Sequence, residues 1–123
     1  MLNRRQQIGK TGESIAVQFL RSKGYRILEQ NYRTGLGEID IIAKDRKTLV
    51  FVEVKARNSR RFGNPKSAVT SRKQRKISMV ALQYLKSTDQ TRAKARFDVV
   101  AISSANASTQ IELIKNAFNL AYE

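Results

Sequence analysis

The stretch Leu49–Arg57, LVFVEVKAR, constrains the fold more than any other, because it is apolar on both faces of a strand. Side chains alternate along a strand, which puts Val50, Val52, Val54 and Ala56 on one face and Leu49 and Phe51 on the other. Both faces are built for burial, yet the second continues into Glu53 and Lys55. Charged side chains are rarely buried unless paired, so a carboxylate and an ammonium at the end of an inner face require a reason to be there.

Around this strand the pattern predicts an α/β domain spanning residues 1–123, in the order αβββαββ. Ile8, Gly12, Ile15, Ala16, Phe19 and Leu20 follow helical spacing from about Gln6 to Lys23, and Gly24 is placed to stop that helix. Strand-like runs follow at Tyr25–Arg33, Glu38–Ala43 and Leu49–Ala56, separated by turns at Thr34–Gly37 and Lys44–Thr48. A basic loop, Arg57–Lys66, leads to a helix from about Thr70 to Lys86, with Thr70 as N-cap. Strands at Phe97–Ser103 and Gln110–Ile114 complete the sheet, and the tail KNAFNLAYE is expected to form a short helix. Short turns imply antiparallel pairs, and the strand–helix–strand unit from Leu49 to Ser103 a right-handed parallel crossover. The expected product is a mixed sheet of about five strands flanked by helices.

Composition narrows the chemistry. The chain has no Cys and no His, which removes disulfides, thiolate metal sites and imidazole acid–base catalysis. A metal would have to sit on oxygen ligands. No apolar run approaches the ~20 residues that span a bilayer, and the start, MLNRRQQIGKTGES, has no apolar core of a secretory signal. The expectation is a cytoplasmic protein with no membrane partner. Net charge is +14, from 24 Lys and Arg against 10 Asp and Glu, which suggests a polyanionic partner, most often nucleic acid. The plainer alternatives are a solubility charge or a basic protein held inside a larger assembly.

Folding the second and third strands about Arg46-Lys47 brings Ile42 opposite Phe51, Asp40 opposite Glu53 and Glu38 opposite Lys55. The apolar match of Ile42 with Phe51 supports that register, since a slip of one residue would turn the charges to the other face. Like charges directly opposite are destabilising. A hard divalent cation, Mg²⁺ or Mn²⁺, would relieve the conflict between Asp40 and Glu53. Lys55 would stand beside it to polarise a water or neutralise developing charge. The plain alternative is a half-solvated strand end, with Glu53 paired to Lys55 or an Arg. Glu13 projects about 20° from Leu20 on the first helix and so faces the sheet margin. It is either an outer carboxylate of the site or a first-turn Glu favoured by the helix dipole.

Basic residues surround this cluster. Cations at the start of the second helix oppose its macrodipole, and Lys73 lies in angular register with Ile77, Val80 and Tyr84. Lys73 and Lys76 are candidate phosphate contacts, the alternative being a solvated helix start with snorkelling stems. Arg57, Arg60, Arg61 and Lys66 are placed to grip a nucleic-acid backbone beside the cluster. Asp98 reads as structural, an acceptor for Lys55 or an Arg.

Asp40, twelve residues, then Glu53-Val54-Lys55, on adjacent strands after a Glu-bearing helix, resembles the PD-(D/E)XK nuclease superfamily. GEIDIIAKD, LVFVEVKAR and RFDVVAI look like the YraN-type family of small uncharacterised proteins, considered related to archaeal Holliday-junction resolvases and other restriction-endonuclease-like proteins. The resemblance covers nearly the whole chain and implies a restriction-endonuclease-like core. It implies that Asp40, Glu53 and the Val54 carbonyl are metal ligands, Lys55 the catalytic lysine and Glu13 the helix carboxylate. One departure is Ile39, where the motif has Pro. The expected activity is Mg²⁺- or Mn²⁺-dependent DNA cleavage, on branched or otherwise structured substrates, for which a four-way junction would call for a homodimer. The competing class is a non-catalytic nucleic-acid-binding module on the same fold.

Overall fold

The computed structural model describes residues 4–57, 69–105 and 108–118, with side chains described from 11–56, 69–104 and 108–118. Of the expected site residues, Arg60, Arg61 and Lys66 and the side chain of Arg57 lie outside the described residues. Helix α1 (Arg4–Ser22) leads into strands β1 (Arg26–Thr34), β2 (Gly37–Asp45) and β3 (Thr48–Arg57). Helix α2 (Ser71–Ser87) then precedes β4 (Ala95–Ala105) and β5 (Ser108–Phe118). The five strands form one sheet in the order β1-β2-β3-β4-β5. β3 and β4 run parallel and every other neighbouring pair is antiparallel, as the order of elements requires.

β3 is the central strand, and its two apolar faces separate two cores. On one face Val50 and Val52 join Val100 and Ile102 of β4 beneath Ala16, Val17 and Leu20 of α1. On the other, Leu49 and Phe51 join Ile42, Phe97 and Val99 beneath Ile77, Val80, Ala81 and Tyr84 of α2. Tyr84 meets both Phe51 and Tyr32 edge-on, with ring centroids 6.0 and 5.2 Å apart, a favoured aromatic geometry.

The helix ends are set by local sequence. After α1, the Tyr25 N–H donates to the Leu20 carbonyl and the Gly24 N–H to that of Arg21. This is the Schellman pattern, and Gly24 supplies the left-handed residue at φ 89°. Thr70 caps α2, its hydroxyl accepting from the Lys73 N–H at 3.2 Å. α1 comes so near the sheet that a Cβ on Gly12 would lie 2.9 Å from the Cβ of Ala56. The next residue, Glu13, lies within hydrogen-bond reach of Asn31 on β1.

The tail departs from expectation. β5 continues through Lys115–Phe118, in place of the short helix that the sequence suggests, and residues 119–123 lie outside the described residues. Phe118 stacks on Phe97 with centroids 4.6 Å apart, and Ala117 is buried. Asn116 takes a left-handed conformation, φ 54°, in the bulge that opens between Phe97 and Val99. Its N–H donates to Asp98 at 2.9 Å. Burial of Ala117, the stacking of a half-buried Phe118 and one buried acceptor outweigh the helical preference of a short terminal segment.

Asp98 is wholly buried and saturated. It accepts from the Tyr25 hydroxyl at 3.1 Å and from Arg96 Nε at 3.0 Å, and Arg96 also donates to the Tyr25 oxygen and to Asp45, each at 2.7 Å. Asp98 is thus structural, and its Arg partner is Arg96. Burial, then the Asp98 charge, push the Tyr25 hydroxyl up to about 12, so it stays a donor. Two outcomes are expected in urea unfolding. Arg96→Leu strands the Asp98 charge and lowers stability by about 3–5 kcal/mol. Gly12→Ala, which on helix propensity alone would be favourable by about 1 kcal/mol, lowers stability by about 1–3 kcal/mol through overpacking against Ala56.

Candidate functional site

The hairpin of β2 and β3 has the expected register from its turn to Ile41, and the expected pairs Asp40–Glu53 and Glu38–Lys55 lie beyond the end of the ladder. Asp45 faces Thr48, Ile42 faces Phe51, and the last paired step is Ile41 with Val52. One residue further the ladder is replaced by a side chain: Asp40 Oδ2 accepts the Val54 N–H at 2.8 Å. Asp40 thereby takes over the hydrogen bond of a strand at the point where the two strands part.

Alternation along β2 also breaks here. Ile39 and Ile42 both pack under α2, while Ile41 and Ala43 pack under α1. Residues 39 and 42 share a face only if the period of two slips between them. Opposite this slip, Asn31 of β1 adopts φ 53°, a conformation that Asn tolerates better than most residues. The expected pairing of Asp40 with Glu53 and of Glu38 with Lys55 assumes unbroken alternation along β2 and is therefore corrected: Asp40 lies at the slip, close enough to feel both Glu13 from α1 and Lys73 from α2.

A cleft of about 240 Å³ opens at this end of the sheet, lined by Gly37, Glu38, Asp40, Glu53, Lys73, Lys76 and Ile77. Glu53 is 6% exposed. It is held by Lys73 Nζ at 2.5 Å and Lys55 Nζ at 3.5 Å, both on Oε1. Lys73 is the third residue of a capped helix that has no acid in its first turn, so its partner comes from the sheet instead. Glu13 reaches the cluster through Asn31. Oriented with its nitrogen toward the carboxylates, the Asn31 amide donates to Glu13 Oε2 at 3.1 Å and Glu38 Oε1 at 3.0 Å. Sequence reasoning misses Asn31, whose only signal is an Asn inside an otherwise strand-like run.

The electrostatics follow from crowding. Burial, then the Glu53 charge, push the Asp40 carboxyl up to about 7, against the Val54 hydrogen bond, which lowers it. Burial and the hydrogen bond from Lys73 lower the Lys55 pKa, against the pull of Glu53. Lys73 moves the other way: burial opposes its charge, but hydrogen bonds with Glu53 and Lys55 and the nearby carboxylates raise it. Of the two ammonium groups on Glu53, Lys55 is the readier to give up a proton.

Asp40, Glu53, Val54, Lys55, Lys73 and Lys76 are thus brought to one end of the sheet, with Glu13 at its margin. Among the described residues, no group of three carboxylates stands ready to hold a metal ion unaided. Among them, too, no helix is long and apolar enough to cross a membrane.

Comparison with known proteins bears on the same residues. A sequence model of the family described as "Uncharacterised protein family UPF0102" matches residues 12–102, a span that begins beside Glu13 and includes the whole cleft. The chain belongs to the UPF0102 family. A UPF0102 protein of Desulfosudis oleivorans is 56% identical over 119 residues, covering 97% of this chain and 95% of its own length. UPF0102 proteins of Syntrophus aciditrophicus and Geobacter metallireducens are each 54% identical, covering 93% and 94% of this chain and 90% and 94% of their own.

The raised Asp40 pKa makes a signed prediction. A carboxyl raised from 3.8 to about 7 leaves the fold most stable below the ordinary carboxylate range, and that stability is lost as pH rises through about 7. Asn at position 40 can still accept the Val54 N–H but carries no charge. Asp40→Asn is expected to raise the melting temperature at pH 8 in chelator, with the gain vanishing near pH 4.

Proposed function

We propose that this UPF0102 protein is a divalent-metal-dependent endonuclease of the PD-(D/E)XK type, acting on DNA, with branched or structured DNA as the favoured class. The observation that carries this reading is the convergence of Asp40, Glu53 and Lys55 where β2 and β3 part, at a cleft rimmed by Lys73 and Lys76. A carboxylate pair in which Glu53 is buried and Asp40 half-buried is costly, and a phosphodiester-cleaving site gives it a use.

The donor set suits a hard cation: two carboxylates and a backbone carbonyl, all oxygen. Among the described residues, Asp40 has one carboxylate oxygen committed to Val54 and the other uncommitted, and Glu53 has its salt bridges on Oε1 alone. Asp40, Glu53 and the Val54 carbonyl are the residues that would hold Mg²⁺ or Mn²⁺. When bound, the cation supplies Lewis-acid polarisation of the phosphodiester and of a water. The chain's own residues supply the rest. Lys55, its basicity set by burial, is placed to take a proton or to face the developing phosphate charge. Lys73 and Lys76 orient the phosphate across the cleft mouth. Glu13 and Asn31 hold the margin of the site in place.

One observation favours a second reading, a nucleic-acid-binding module without cleavage. Lys73 already neutralises Glu53, the role a cation would otherwise fill. The two separate in one experiment. Linear, nicked, flapped and four-way DNA are incubated with Mg²⁺ or Mn²⁺ and wild-type protein, beside a Glu53→Gln, Lys55→Ala variant. Metal-dependent cleavage by the wild type and a loss of at least ~100-fold in the variant are expected. Mn²⁺ should also raise the wild-type melting temperature and leave that of the variant unchanged. Cleavage absent from every substrate, with salt-sensitive binding intact, selects the binding module. Equal cleavage by both proteins removes the site assignment.

A further inference from the structure

At the end of β3 opposite the cleft, the tip of the β2–β3 hairpin, the start of β4 and the residue following α1 enclose an open groove of about 810 Å³. Six cations line it, Lys23, Arg46, Lys47, Lys94, Arg96 and Lys115, against one carboxylate, Asp45. That carboxylate is already engaged by Arg96 at 2.7 Å and Lys115 at 3.8 Å. Lys23, Arg46, Lys47 and Lys94 are exposed, and none of them makes an ion pair among the described residues.

Two features of the chain concentrate this charge at a cost to folding. The hairpin turns through two residues, Arg46-Lys47, with Arg46 at φ 57°, a position that Gly or Asn fills with less strain. Beside the groove, Arg26 stands directly opposite Lys44 across the β1–β2 ladder, an arrangement of like charges that weakens a sheet. Neither serves the cleft, which lies at the other end of β3.

We propose that this groove binds the phosphodiester backbone of double-stranded nucleic acid, at a surface separate from the carboxylate cleft. Flexible lysines and an arginine at the groove mouth match a row of phosphates and carry no sequence readout. No aromatic side chain lines the groove, so it offers no platform for unstacked bases and suits a duplex over a single strand. It also lacks the apolar residues that insert into a bilayer interface. Thr48 and Glu53, at the two ends, are five residues apart, about 16 Å along an extended strand, or roughly five base-pair steps of duplex. The groove is assigned from its own charge and does not rest on cleavage in the cleft.

Its test is binding of a labelled linear duplex in chelator, over a salt series, with melting temperatures of all variants matched. Lys47→Gln with Lys94→Gln is expected to weaken binding about 10-fold and to reduce the slope of log affinity against log salt by about 1.8, near 0.9 for each phosphate no longer neutralised. Arg75→Gln with Lys86→Gln removes the same charge elsewhere and should leave the slope unchanged. Because binding is read in chelator, where a metal-dependent cleft is silent, failure of this test and failure of the cleavage test are distinguishable. An unchanged slope in the groove variant overturns the proposal. So does an equal fall in both charge-matched variants, or binding to vesicles containing anionic lipid with none to the duplex.

Discussion

The end of the β2–β3 ladder is the constraint on which the candidate site depends. Up to Ile41 and Val52 the hairpin is an ordinary buried pair of strands, fixed in register by apolar side chains on two faces. At the next step a carboxylate substitutes for the backbone, and Asp40 holds the Val54 N–H. That bond keeps β3 aligned while β2 turns away, and the divergence makes room for a cleft. Without a double-sided core behind it, no strand end would hold Glu53 at 6% exposure next to a second acid.

Much of this is legible in residue order. The double apolar face of Leu49–Val54 marks the central strand, Gly24 and Thr70 mark helix ends, and the strand–helix–strand unit gives the parallel pair. The match of Ile42 with Phe51 gives the register up to Ile41 and so brings Asp40 and Glu53 to the same end of the hairpin, although not as a paired step. What escapes is every place where a local rule is overridden from elsewhere in the fold. The slip at Asp40 and the left-handed Asn31 opposite it break a period of two that sequence reading assumes. The tail joins β5 because Phe97 and Asp98 offer it a stacking partner and an acceptor, and both lie far back in the sequence, on β4. Helical spacing puts Lys73 on the correct face of α2, but its partner, Glu53, is visible only once the helix is laid on the sheet.

Charge is distributed unevenly over the molecule. At the cleft end of β3 acids and lysines are interlocked and partly buried, and their charges bear on the proton affinities of Asp40, Lys55 and Lys73. At the hairpin end the buried Asp98 network and Asp45 neutralise Arg96 from within, and among the described residues Lys23, Arg46, Lys47 and Lys94 make no ion pair. The same strand therefore carries a nearly compensated polar centre at one end and a surplus of positive charge at the other.

The salt bridge from Lys73 to Glu53 has a thermodynamic consequence for anything that enters the cleft. Because the carboxylate already has a counterion on Oε1, a cation that bound Glu53 would compete with that ammonium for the same charge, and its apparent affinity would be reduced by the bond it weakens. The released ammonium would stay tethered to α2 at the rim. A loaded cleft would then present a more positive rim to an anionic ligand, so the two ligands, if both bound, would be linked through one side chain without any movement of the sheet.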